Sequence, residues 1–146
     1  MTKRHGVDPL LDLLVEAAKG LAHGARMRIL AMLEGGELCV CQMTAVLELA
    51  PSTVSQHLSV LARGGLVRER KAGKLVFYRL RENSAGSTLL PGLLATVGRD
   101  PTVRRDRAAV QRLRRIPVAR LCAAELDLVA LGIRKAAEAP ADAARA

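Results

Sequence analysis

The hydrophobic period of this sequence changes between Pro51 and Arg81, and that change limits what the chain can fold into. From Pro51 to Arg63 the period is helical. Val54, Leu58, Leu61 and Ala62 share one face, and Ser52, Gln56, Ser59 and Arg63 share the opposite one. Gly64-Gly65 stops that helix. Leu66 to Arg70 and Leu75 to Arg81 then repeat at about every second residue and read as strands. Lys71-Ala72-Gly73-Lys74 joins them, and Gly73 is free to take positive φ, so the segment is a β-hairpin with a basic tip. Upstream, Gly24–Leu33, ended by Gly35-Gly36, and Gln42–Leu49 predict two further helices.

Two short helices, a turn and a third helix with a polar outer face make a helix-turn-helix pattern, and a hairpin directly behind it makes a winged one. Before this unit, Asp8 as cap and Pro9 at the first helical position open a helix that is apolar apart from the strip Asp12, Glu16 and Lys19. Such a helix is buried on more than one side, as a subunit interface or as a central core helix. After the hairpin, Leu89 to Val97 is apolar. Asp100-Pro101 opens a basic helix that runs to Arg115, Ile116-Pro117 breaks it, and one more short helix is expected within Val118 to Leu131. The fold class is mainly α with a small β-hairpin: a dimeric winged helix-turn-helix with extra C-terminal helices. The boundaries are 8–98 for DNA binding and dimerisation, 99–134 for a basic helical extension, and 135–146 for an Ala-rich disordered tail.

The chain has 146 residues, room for one domain, and half of them are apolar, which excludes a disordered basic segment. Lys and Arg number 23 against 14 acids, a net charge of +9 that calls for a polyanion. Phe77 and Tyr78 are the only aromatics, too few to stack single-stranded bases, so duplex DNA is the expected partner. Ser52, Thr53, Ser55 and Gln56 suit phosphates and base edges, with Ser59 and Arg63 further along the same outer surface. Arg68, Arg70, Lys71 and Lys74 bring charge to the hairpin. A solvated helix beside an ordinary hairpin is the plainer reading, but this face lacks the acids that normally balance one. His57 borders the apolar face and reads as a DNA contact or a packing residue in preference to a ligand. Arg104, Arg105, Arg107, Arg112, Arg114 and Arg115 read as a solvated face, with a second contact to the DNA backbone as the alternative.

Cys39, Cys41 and Cys122 are too few and too uneven for a disulfide framework. No signal-peptide pattern and no run of 18 apolar residues is visible, so a cytoplasmic protein with free thiols and no membrane partner is expected. Cys39 and Cys41 lie where the third helix begins, and a helix N-terminus favours thiolates, which select soft ions. Residues i and i+2 of a regular helix point about 200° apart. One ion can hold both sulfurs only if the backbone there is not regular helix. Two buried structural cysteines are the competing reading.

Leu21 to Leu80 resembles the winged-helix core of the ArsR/SmtB repressors of arsenical and metal resistance. The resemblance rests on Arg28-Ile29-Leu30, Glu37-Leu38-Cys39-Val40-Cys41, Ser52-Thr53-Val54-Ser55-Gln56-His57-Leu58 and Gly65-Leu66-Val67. It implies a homodimer on double-stranded operator DNA. It also implies, through Cys-Val-Cys, an inducer of the arsenite or antimonite class, methylated arsenicals included, and no organic cofactor. Cadmium or lead, thiol oxidation, and a repressor with no thiol-bound inducer are the alternatives. The chain departs from the pattern at Thr44, where this branch often has a third cysteine, at Gln42, where an acid often stands, and at Ala50, where a Ser or Thr cap is usual. Trivalent arsenic binds three thiolates in a pyramid. The only further thiol is Cys122, a metalloid ligand on one reading and a packing residue beside Leu121 and Leu126 on the other. No phosphate-cradling loop follows any cysteine, and there is no HExxH or catalytic carboxylate pair, so no enzyme is expected.

Overall fold

The structure, a computed structural model, describes residues 9–123. The expected Asp8 cap, the part of the Val118 to Leu131 segment beyond residue 123, the end of the 99–134 extension and the expected disorder of 135–146 lie outside the described residues. In chain order come α1 (Pro9–Leu21), α2 (Gly24–Leu33), β1 (Leu38–Cys39), α3 (Val40–Leu47), α4 (Pro51–Arg63), β2 (Val67–Ala72) and β3 (Leu75–Leu80). A 3-10 turn at Gly86–Leu89 leads into α5 (Leu90–Val97), and α6 (Pro101–Leu113) and α7 (Val118–Ala123) follow. Helices α2, α3 and α4 with the β2–β3 hairpin form the expected winged helix-turn-helix.

Local chemistry sets most of the boundaries. The Nδ1 of His23 accepts from the Ala25 N–H at 3.1 Å to cap α2. Asp100 accepts from Thr102 and Val103 at the start of α6. No side chain caps α4, and Ala50 leaves its start to Pro51, whose missing N–H needs no partner. Gly73 takes a φ of +60° in the tight turn between paired Ala72 and Leu75. Helix α3 begins and ends two residues earlier than its sequence period indicates. The Cys39 N–H donates to Gln42 Oε1 at 2.8 Å, which secures an early start. Glu48 turns left-handed at φ 55° and closes the helix onto the Thr44 carbonyl.

The hairpin is not alone. β1 pairs antiparallel with β3, Leu38 opposite Tyr78 and Cys39 opposite Phe77, so the sheet has three strands in the order β1-β3-β2. A strand of two residues carries no readable alternation, and sequence reasoning missed it.

Leu30, Met32, Leu38, Met43, Leu58, Leu61 and Leu66 form the centre of the core, all essentially inaccessible. Val103, Val110 and Leu113 of α6 and Leu121 of α7 belong to the same cluster, so the apolar core runs on past residue 98. Helix α6 is tied to α2 by a bidentate pair: Arg28 Nε and Nη2 donate to Asp106 at 2.7 and 2.9 Å. Asp106 is 3% exposed. Of the two expected settings for helix α1, the central core helix does not hold within this chain. Only Ala17 and Gly20 are buried within this chain, while Leu10, Leu11, Leu13 and Val15 are 51, 56, 56 and 39% exposed. Close packing beneath α1 needs small residues: a Cβ on Gly86 would stand 2.6 Å from the Gly64 carbonyl oxygen and 2.9 Å from the Ala17 Cβ.

Removing one partner of a buried ion pair strands the other charge away from water. Asp106→Ala should therefore cost about 3 kcal/mol or more, read as a fall in the urea midpoint. Arg28→Met combined with Asp106→Leu should cost much less. Equal losses in the two variants would show that the pair is not the anchor of α6.

Candidate thiol site and nucleic-acid interface

The thiol site lies where β1 turns into α3. Cys39 is the last residue of β1, with extended backbone at φ −73° and ψ 148°, and Cys41 stands in the first turn of the helix. The backbone between them is not regular helix, and this is the condition for both sulfurs to face one ion. Helix α7 packs against α3 and brings in Cys122. The three sulfurs lie within 4.8 Å of one another. Cys41 and Cys122 are joined as a disulfide with their Cα atoms 6.0 Å apart, and Cys39 is a buried free thiol. The expectation of three free thiols is thus corrected. Folding α7 onto α3 brings two of them within bridging range across 81 residues of sequence. Thr44 is buried in the same helix, and its hydroxyl has no hydrogen-bond partner among the described residues.

An open groove lies between this site and the residues of α4 and the hairpin. Cys39 and Cys41 line it on one side, and Ser55, Lys71, Lys74 and Tyr78 line it elsewhere. The Tyr78 hydroxyl donates to Glu69 at 2.9 Å. Burial first, and then that carboxylate, raise the phenol to about 12, so it stays a neutral donor.

On α4 the structure exposes Ser52, Ser55, Gln56, Ser59 and Arg63 together and leaves Thr53 half-buried. Arg68, Arg70, Lys71 and Lys74 are exposed on the hairpin. Their charges are not equally free. Arg70 forks onto Glu37, with Nη2 at 2.6 Å, and lies 4.6 Å over the Phe77 ring. Lys71 stands 3.6 Å from Glu69. Lys74, at the tip, makes no ion pair among the described residues.

Of the two roles expected for His57, DNA contact and packing, the structure shows packing. The residue is 8% exposed, with its ring 4.5 Å from that of His23 and its Nδ1 3.4 Å from Arg26 Nη1. The side chain packs α4 against the start of α2 and offers no free edge to a duplex. Two arginines of this cluster, half-buried Arg107 and exposed Arg114 just past the end of α6, are tethered to neighbouring segments. Arg107 pairs with Glu34 at 2.9 Å, and Arg114 donates to the carbonyls of Gly36 and Glu37 at 3.0 Å each. The signal for the inward side of α6 was present: Asp106 falls in line with Val103, Val110 and Leu113 at helical spacing. Nothing in the sequence paired Glu37 with Arg70, because that contact runs through β1.

Residues 23–69 match the family model described as "Bacterial regulatory protein, arsR family". The arsenic resistance transcriptional regulator ArsR1 of Pseudomonas putida is 46% identical over 56 residues, covering 38% of this chain and 43% of that protein. The transcriptional activator HlyU of Vibrio cholerae is 47% identical over 62 residues, covering 42% and 57%. The chain thus spans about half the length of these relatives. The solved HlyU structure covers 64% of this chain and 96% of its own, at 33% identity and a TM-score of 0.52. The homodimeric winged helix-turn-helix domain Mb0332 of Mycobacterium bovis covers 64% and 92%, at 29% identity and a TM-score of 0.53.

His57 makes stability depend on pH. Burial, and next the charges of His23 and Arg26, lower its pKa below the ordinary 6.5. The unfolded chain then takes up the proton first. Stability is complete above about pH 7 and falls as pH drops through 6.5 toward the lower folded value. Urea midpoints measured between pH 7.5 and about pH 5.5 should decline more steeply in wild type than in His57→Gln. Parallel profiles would remove His57 as the cause.

Proposed function

The chain belongs to the arsR family of bacterial regulatory proteins, and from that premise we propose that it is a homodimeric repressor released from operator DNA by trivalent arsenic. The observation that carries the inducer is the meeting of Cys39, Cys41 and Cys122 within 4.8 Å. Three soft donors, with no fourth ligand grouped with them among the described residues, suit the pyramidal coordination of arsenite or antimonite, whereas zinc takes four protein donors in a closed structural site. Methylated arsenicals, which need fewer thiols, fit the same cluster. Cys122 takes the part that Thr44 cannot play. Capture needs all three sulfurs reduced, so the Cys41–Cys122 bond must open first.

The polar face of α4 enters the major groove in this reading, and the hairpin tip lies along the phosphates. Gln56 reads base edges and Lys74 supplies charge. The exposed leucines of α1, with Leu89 at 38% exposure, form the surface that a second copy covers. Among the described residues no helix is long and apolar enough to cross a membrane. Work on DNA places the protein in the cytoplasm, with no catalytic role. A second reading is favoured by the disulfide itself: oxidation of Cys41 and Cys122 is the signal, and a metalloid is not.

Fluorescence anisotropy of a labelled promoter duplex, run under reductant, tests these points together. Arsenite should weaken binding by about 5- to 150-fold, the usual range of such couplings. Cys39→Ser and Cys41→Ser should keep DNA binding and lose release. X-ray absorption should find three sulfurs around arsenic in wild type and two in Cys122→Ser. Two sulfurs in wild type, with an unchanged response in Cys122→Ser, would make Cys122 a packing residue. In a parallel titration with the reductant removed, release by peroxide, with none by arsenite under reductant, would favour the oxidation reading. On the DNA side, Gln56→Ala should weaken binding and relax sequence preference. Lys74→Ala should weaken it evenly across sequences and flatten the salt dependence. Wild-type binding by both variants would refute this docking.

A further inference from the structure

One rung of the sheet joins the thiol site to the hairpin. Cys39 is opposite Phe77, and Phe77 is opposite Arg70 on its other side. Residues directly opposite one another in an antiparallel ladder project to the same face. Glu37 precedes Cys39 by two positions, and its carboxylate holds Arg70 through Nη2 at 2.6 Å and Nε at 3.1 Å. The backbone of Glu37 is itself held, because Arg114 donates to its carbonyl and to that of Gly36. The Arg70 side chain is 55% exposed and that of Glu37 is 29% exposed. This exposure allows the pair to exchange with an outside anion. A guanidinium fork fits a phosphate as well as it fits a carboxylate.

We propose that Glu37 and a DNA phosphate compete for the guanidinium of Arg70, and that ligand capture at the cysteines tips this competition toward Glu37. In the free protein Arg70 rests on Glu37. On the operator it is shared between Glu37 and the backbone, so the wild-type complex makes this phosphate contact only part of the time. Closing the three sulfurs around one atom fixes Cys39 at the end of β1. It thereby fixes Glu37 in the position that retains Arg70. The hairpin then loses one phosphate contact while its tip lysine and the recognition helix are unchanged. The last step rests on the proposed sensing role, whereas the competition for Arg70 stands without it.

Glu37→Gln keeps the shape of the side chain and removes its charge, and circular dichroism and the urea midpoint check its fold. In anisotropy titrations across a salt series it should bind the promoter duplex several-fold more tightly than wild type. Its log–log salt dependence should be steeper by up to about 0.9, the value of one whole phosphate contact. Arg70→Gln should bind more weakly and with a shallower slope, and adding Glu37→Gln to it should change nothing further. Under reductant, arsenite should occupy Glu37→Gln with the wild-type stoichiometry and sulfur count, yet release it from DNA by a smaller factor. Affinity and slope equal to or below wild type in Glu37→Gln would overturn the competition. Tighter binding with undiminished release by arsenite would overturn the coupling. If arsenite fails to release wild type at all, the sensing role falls, and the salt slopes still decide who holds Arg70.

Discussion

The pairing of two residues, Leu38 and Cys39, with Tyr78 and Phe77 is the constraint on which the working parts of this molecule depend. Without it the hairpin would be a two-stranded ribbon with no third strand paired to it. With it, the hairpin gains a third strand whose last residue is a cysteine and whose continuation is α3. Leu38 is fully buried beneath the sheet and anchors that strand in the core. The same pairing keeps Cys39 out of helical geometry, and so lets its sulfur approach that of Cys41. Strand register, helix start and sulfur placement follow from one local arrangement of backbone hydrogen bonds.

A second layer of support comes from beyond the winged helix. Helix α6 turns its apolar side and Asp106 onto α2 and lends Arg114 to the carbonyls before β1. Helix α7 then crosses the start of α3 and delivers Cys122. The C-terminal helices therefore complete the thiol site. A buried ion pair contributes little net stability compared with apolar packing, yet it is intolerant of a missing partner. Such a pair restricts how α6 can sit on α2, and with it the approach of α7. The disulfide and a three-thiolate site are exclusive uses of the same sulfurs. The redox state of Cys41 and Cys122 therefore decides whether the cluster is available to a soft ligand.

Much of the fold was legible along the chain because its signals are local. Spacing placed the apolar face of α4, glycine placed the turns, and Asp100-Pro101 placed the start of α6. The polar face Ser52, Ser55, Gln56 and Ser59 could be read because a helix displays its sequence at a constant angle per residue. The candidate site was legible in part. Cys39 and Cys41 stood out by spacing, and Cys122 stood out only as the remaining thiol.

Composition and periodicity by themselves determined a basic, mostly helical winged fold with a polar recognition face and a pair of thiols at a helix start. Tertiary structure alone decided that Cys122 meets that pair, that His57 packs inward, that Arg70 is held by Glu37, and that Arg107 and Arg114 serve as tethers. The physical reason is range. Propensity, capping and turn chemistry act over a few residues and leave their mark in order along the chain. The contacts between Arg28 and Asp106, Glu37 and Arg70, and Cys41 and Cys122 close loops of tens of residues. Their energies depend on how whole helices settle against one another, which no stretch of sequence records.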